Sequence, residues 1–251
     1  TAGHLALGVG KAAGATLSVI PEEFLGAVHL ETVGDLLEGA ILKRQALWQR
    51  YDGVAVIAEG LLERMPVEEL TRIEGVQIQH DSYGHLRLAE LDLAYILKNL
   101  VERRFAERGR NLTIVHKTIG YELRCAPPVA FDCEYVKTLG YGAVEFLLNP
   151  NESTSGIAGA LVCIVDGQLR YLKFEDLMDS KTNKTSVRPV DISKPAYRVA
   201  REYMIRLERE DFENLERLEE LARTASSREK PLSTEAFKRK FEHVLTDLRW
   251  P

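Results

Sequence analysis

The chain has 251 residues, 45% hydrophobic and 28% charged, with a formal net charge of −5. That length can bury one large core or two modest ones, and the acidic balance argues against nucleic acid or an anionic membrane as the main partner, while leaving room for a local basic site. No uninterrupted apolar run is long enough to span a bilayer, no signal peptide opens the chain, and Cys125, Cys133 and Cys163 show no zinc spacing and point to a reducing cytoplasm.

The chain opens on Thr1, and Ala2–Gly14 reads as a packed helix with no strand before it, so a C-terminal part of a longer protein is expected. Gly8–Val9–Gly10 followed by Gly14 has the wrong spacing for a dinucleotide loop. Small residues that let a helix lie close to a sheet are the better account. Ala15–Ile20 predicts a short strand ended by Pro21–Glu22–Glu23, whose carboxylates read by default as solvated loop acids. Thr32–Tyr51 carries Val33, Leu36, Leu37, Ala40, Ile41, Leu47 and Trp48 at helical spacing. Gly53–Ala58 is the clearest buried strand, with Glu59–Gly60 at its exit; a polar role for Glu59 near a substrate ranks below a structural one. Strand alternating with amphipathic helix is the α/β signature.

Leu61–Ser82 predicts a helix and then an irregular excursion. His80, Asp81 and His85 match no strong ligand spacing and read as a loop with solvated side chains. Leu86–Glu107 predicts a long helix burying one face through Leu88, Leu91, Leu93, Ile96, Leu97, Leu100, Val101 and Phe105, closed by Gly109. Leu112–Val115 predicts a buried strand that feeds the turn Ile119–Arg124. Gly120 lets backbone approach a ligand, and Pro127–Pro128 forces the chain out of regular structure. Asp132 is expected to cap a helix whose apolar face is Tyr135, Val136, Leu139, Val144, Leu147 and Leu148. Strand, tight polar turn, helix is how open α/β sheets offer ligand-binding groups beyond their strand ends. The phenol of Tyr121 and the guanidinium fork of Arg124 suit phosphate oxygens; the alternative is a half-buried core tyrosine and a surface salt bridge.

The character shifts after Asn149–Pro150, which predicts an α/β domain over 1–150 and a hairpin plus helical extension over 151–251. Asp166–Gly167 between Gly156–Val165 and Gln168–Phe174 is a strong hairpin signal. Lys173–Arg188 is polar and basic; Lys181, Lys184 and Arg188 read as a solvated loop ahead of a phosphate border. Ser193–Leu221 predicts a helical stripe broken near Asp211, and Phe237–Leu248 a final amphipathic helix. This tail either wraps the sheet or forms part of a subunit contact.

Tyr121–Glu122–Leu123–Arg124–Cys125, followed by Phe131–Asp132–Cys133–Glu134–Tyr135 and Leu139–Gly140–Tyr141–Gly142–Ala143, resembles the phosphofructokinase family, and within it the pyrophosphate-dependent branch. Ala2–Gly3–His4–Leu5–Ala6–Leu7 through Ile20–Pro21–Glu22–Glu23–Phe24 resembles the same family at the matching distance. The resemblance runs over Thr1–Leu148 and weakens beyond. It implies an α/β fold of three layers, a mostly parallel sheet flanked by helices, with the hairpin and helical tail at the C-terminal end.

The chemistry it implies is phosphoryl transfer from pyrophosphate to the 1-hydroxyl of fructose 6-phosphate in glycolysis, giving fructose 1,6-bisphosphate, with Mg²⁺ bridging donor oxygens. ATP as donor, or a non-catalytic sugar-phosphate-binding regulatory subunit, are the alternatives. The family's proton-accepting aspartate motif and glycine-rich donor loop do not occur in this sequence and are expected upstream of Thr1, so no catalytic residue or metal ligand is assigned here. By position in the motif, Arg124 binds the 6-phosphate. Tyr121, where many ATP-dependent members carry histidine, donates to the same phosphate. Glu122 and Leu123 contribute through the backbone of the turn, and Glu22 holds the sugar hydroxyls. A further family arginine, supplied across a subunit boundary, falls near Val115 and has no arginine counterpart; Lys117 is the substitute to hand. A cytoplasmic homodimer or homotetramer is expected.

Overall fold

The computed structural model describes residues 3–73, 91–123, 125–149, 155–179, 185, 188–227 and 230–249. They form two compact units, one of residues Thr1–Thr118 with Pro189–Pro251 and the other of Ile119–Arg188. Position 150 lies inside the second unit, and the tail from Pro189 onward belongs to the first. Among the described residues no helix is long and apolar enough to cross a membrane.

The first unit runs α1 (Gly3–Ala13), β1 (Leu17–Val19), α2 (Leu30–Trp48), β2 (Ala55–Ile57), α3 (Val67–Leu70) and α4 (Leu93–Glu107). After the second unit it resumes with α6 (Pro195–Tyr203), α7 (Arg209–Glu213), α8 (Leu215–Ala225), α9 (Thr234–Phe241) and α10 (Val244–Asp247). β1 and β2 pair in parallel, Leu17 opposite Ala55 and Val19 opposite Ile57. α1 lies directly on this pair: a Cβ at Gly10 would collide with Ser18 Oγ, so the small residues of the opening serve close helix–sheet packing.

α2 ends where Gln49 takes a left-handed conformation (φ 52°) and its N–H returns to the carbonyls of Arg44 and Gln45. α4 starts later than its apolar pattern, at Asp92, whose carboxylate accepts from Tyr95 N–H at 2.9 Å. His80, Asp81, His85 and the expected helix start at Leu86 lie outside the described residues.

Two expectations for strands need correction. β1 is buried throughout, but in β2 Ala55 is exposed and Val56 and Ile57 are only half-buried. Leu112–Val115 joins no sheet among the described residues. Leu112 and Ile114 pack half-buried beside Phe105 and Leu221, Val115 is 88% exposed, and Ile114 N–H donates to Glu102 Oε1 of α4 at 2.6 Å. A carboxylate has taken the donor that a neighbouring strand would need.

The tail closes the first unit's core. Tyr197 packs with Leu7, Ile20 and Ala58; Phe212, Leu221, Phe237 and Phe241 pack with Leu42, Val101 and Phe105; Val244 and Leu248 join Leu17, Val19 and Phe24. It also satisfies the free side of β1, where Ile205 N–H donates to the Thr16 carbonyl at 2.8 Å and Arg206 Nη2 to the Ser18 carbonyl at 2.6 Å. The tail thus packs against the sheet of the first unit. Its helical stripe breaks at Met204–Glu208 and at Asn214, with Asp211 inside α7, and the last amphipathic stretch is two short helices.

The second unit holds α5 (Ala130–Leu148), β3 (Ala160–Val165) and β4 (Gln168–Lys173). The strands form an antiparallel hairpin with Ala160 opposite Lys173 and Val165 opposite Gln168, closed by Asp166 and Gly167 at φ 51° and 74°. Two positive φ angles match the twist of a two-residue hairpin turn. The hairpin seats on α5 at Gly142, where a Cβ would meet Leu169 and Val162 at 2.8 and 3.0 Å, and Tyr171 donates its hydroxyl to the Gly142 carbonyl at 3.1 Å. The buried position of α5 is therefore Gly142; Val136, Val144, Leu147 and Leu148 of the expected face are exposed. Asp132 is not the cap residue either. α5 is capped by Val129, and Asp132 stands at the third helical position, accepting from Val129 N–H at 3.0 Å.

Candidate functional site

Because β1 and β2 are parallel, their carboxyl ends open on the same side of the first unit, the place where α/β sheets present binding groups. β1 leads through Ile20 into a 3-10 turn, Pro21–Glu23, with proline at its first position. β2 leads through Ala58 into a second 3-10 turn, Glu59–Arg64. The two turns touch.

Each turn brings a carboxylate. Glu22 is half-buried against Gly3 at the start of α1; Oε1 accepts from Val190 N–H at 3.0 Å, and Oε2 is buried without a hydrogen-bond partner among the described residues. Glu59 is exposed and makes no hydrogen bond or ion pair among the described residues. Glu23, next to Glu22, turns the other way and is fully buried on Arg206 and Tyr197. Two neighbouring acids of one turn thus have opposite fates, and Glu23 is a core ion-pair member. Arg64 of the second turn donates to the carbonyl of Pro21 in the first turn and to those of Phe24 and Gly26 just beyond it. Nothing in the local sequence singled out Arg64, since its acceptors are backbone atoms some forty residues away.

In the second unit the turn is present as a 3-10 turn, Tyr121–Leu123. Its frame is set by Leu123 N–H donating to the Gly120 carbonyl at 3.2 Å and by Gly120 N–H donating to Glu122 Oε2 at 3.0 Å. Glu122 and Leu123 are exposed. Tyr121 is described by its backbone, and Arg124 lies outside the described residues, as do Lys181 and Lys184. Lys117 and Arg188 are exposed.

No protein-family model matches the chain. Individual relatives do. Over 243 residues the chain is 55% identical to a pyrophosphate–fructose 6-phosphate 1-phosphotransferase of Thermotoga maritima, covering 97% of this chain and 56% of that protein. The match is 43% over 251 residues to the enzyme of the same name from Naegleria fowleri, covering 97% of this chain and 55% of the relative. The matched span is homologous to pyrophosphate-dependent phosphofructokinases. A beta 1 subunit of that name from Arabidopsis thaliana is 25% identical over 236 residues, 70% of this chain and 41% of its own. The chain therefore spans about half the length of the pyrophosphate-dependent phosphofructokinases it matches. The motif resemblance weakened past Leu148, whereas the alignments take in 97% of the chain and so include its tail.

Proposed function

We propose that this chain is the sugar-phosphate-binding part of a longer phosphotransferase that makes fructose 1,6-bisphosphate from fructose 6-phosphate and pyrophosphate. The observation that carries the reading is the 55% identity across 97% of the chain to a protein named for that activity. In the reaction the 1-hydroxyl oxygen of the sugar forms a bond to the terminal phosphorus of pyrophosphate. The bridging P–O bond breaks, inorganic phosphate leaves, and the hydroxyl proton passes to an acidic residue. That acid and the donor cradle are assigned to sequence outside this chain, together with the Mg²⁺ carried by the donor. The complete protein is proposed to be a cytoplasmic glycolytic homodimer or homotetramer with a three-layer, mostly parallel sheet.

The groups proposed from this chain bind rather than react. Arg124 takes the 6-phosphate as a charged fork and Tyr121 adds one hydrogen bond to it. Glu122 and Leu123 hold the turn. Glu22 takes the sugar hydroxyls, for which its buried Oε2 would have to turn outward. Glu59 joins it as the accessible carboxylate at the neighbouring strand end, a placement favoured by its exposure and by its having no partner among the described residues.

The test is an assay of a full-length protein, of the relatives' length, with pyrophosphate and with ATP at saturating Mg²⁺, on wild type and Arg124→Ala. Turnover with pyrophosphate is expected, and Arg124→Ala should lose about 2–4 kcal/mol of transition-state stabilisation, mainly as a raised KM for the sugar phosphate. Turnover with ATP alone would transfer the protein to the ATP-dependent reading. No turnover with either donor would favour the regulatory subunit.

A further inference from the structure

We infer that Arg64 is a positioning residue that locks the turns at the carboxyl ends of β1 and β2 into one frame, so that Glu22 and Glu59 are presented together to the sugar. The inference rests on the sugar-phosphate reading above. Arg64 closes the turn that Glu59 opens, and its guanidinium crosses to the turn that carries Glu22. Nη1 donates to the Pro21 carbonyl at 2.5 Å, and Nη2 to the carbonyls of Phe24 and Gly26 at 3.3 and 2.5 Å. The main chain adds a fourth tie, Val28 N–H donating to the Arg64 carbonyl at 2.9 Å.

These acceptors bracket Glu22, one just before it and two just after, so its turn is held from both sides. Among the described residues no carboxylate meets Arg64, and its charge is spent entirely on backbone carbonyls. A planar, rigid fork on several carbonyls fixes orientation as well as distance, which a single ammonium cannot do. The far end of the same turn is anchored by Gly60, Leu61 and Leu62, all buried, so a shift of Arg64 is passed on to Glu59. Removing the fork leaves the Phe24 and Gly26 carbonyls without donors among the described residues, while Pro21 keeps only Phe24 N–H at 3.2 Å, and frees the two loops to move separately. A misplacement of about 1 Å at a binding group is enough to cost about a hundredfold in rate.

The test uses the full-length protein with fructose 6-phosphate and pyrophosphate, and compares wild type, Arg64→Ala and Arg64→Lys. The expected result is a rise of about tenfold in the KM for fructose 6-phosphate in Arg64→Ala, with the KM for pyrophosphate within about twofold of wild type and partial recovery in Arg64→Lys. Thermal unfolding is followed in parallel, because a purely structural role would lower Tm while moving both KM values together or neither. An active wild type whose Arg64→Ala variant keeps its KM for the sugar phosphate, or raises both KM values equally, overturns the clamp alone. A wild type that does not turn over fructose 6-phosphate defeats the underlying reading and the clamp with it. If Arg64→Ala does not fold, Arg64→Lys carries the same comparison, and an unchanged KM there overturns the inference.

Discussion

Glu23 is held in the core by donors that converge on it. Arg206, only 2% exposed, sets Nη2 at 2.8 and 3.0 Å from the two carboxylate oxygens, and the Tyr197 hydroxyl donates to Oε1 at 2.8 Å. Burial, and after it the negative charge of Glu23, lifts the Tyr197 phenol well above its ordinary range, so it stays a donor at physiological pH. A buried ion stripped of its partner retains its desolvation penalty. Glu23→Gln and Arg206→Met should each destabilise the full-length protein by about 3–5 kcal/mol, and the double substitution by clearly less than the sum. Chemical unfolding of the four proteins measures this; strict additivity would mean that the pair is not coupled. The partners of Glu23 lie 174 and 183 residues along the chain, which is why Pro21–Glu22–Glu23 reads as a solvated acid pair. Which of two adjacent acids turns inward is decided by Arg206, and Arg206 looks from sequence like one more charge in a helical stripe.

Elements were legible where their own residues set their shape. The hairpin turn at Asp166–Gly167 needs only two residues that accept positive φ, and α1 needs only small residues facing Ser18. Leu112–Val115 was not legible because a strand exists through its partner, and Glu102 supplies the acceptor instead. Between helices the deciding contacts are charged. Glu38 of α2, with no exposure, accepts from Arg104 of α4, from Arg108 that follows it, and from Lys240 Nζ of α9 at 2.9 and 2.8 Å. Since that carboxylate is already shared, burial first, then repulsion from Arg108 and Arg104, push the Lys240 ammonium down to about 8. The unfolded lysine keeps its proton to 10.5, the ordinary value. Between those two pH values the unfolded chain binds the proton that the folded chain has released, so stability contributed by this group rises with pH across the window. Wild type should therefore gain stability relative to Lys240→Met between about pH 8 and about pH 10.5, read from denaturant midpoints in the full-length protein. A difference between the two proteins that stays flat across that window would show that Lys240 does not titrate there.

At the scale of the whole chain, the two units hold different parts of the proposed function. The strand-end carboxylates Glu22 and Glu59 belong to the first unit, and the Tyr121–Arg124 turn to the second. The grouping of Pro189–Pro251 with Thr1–Thr118 is not visible in composition, because it is made by contacts such as Phe24 with Leu248 and Ile205 with Thr16. Neither unit supplies the aspartate motif or the glycine-rich donor loop that the resemblance calls for, and neither motif occurs in the 251 residues. Positioning of donor and acceptor is most of the catalysis in phosphoryl transfer, so half a site does not give half a rate. The chain Thr1–Pro251 expressed alone is therefore expected to lack phosphotransferase activity. Exposed apolar residues of α5, among them Val136, Val144, Leu147 and Leu148, are also expected to make it prone to association. The measurement is a coupled assay on the purified chain with both donors offered and the full-length protein as control, light scattering reporting its association. Turnover above background in the chain alone would place a proton acceptor within these residues. Glu59, exposed and without a partner among the described residues just past the end of β2, would then be the first to replace, and the division between a binding half and a reacting half would be wrong.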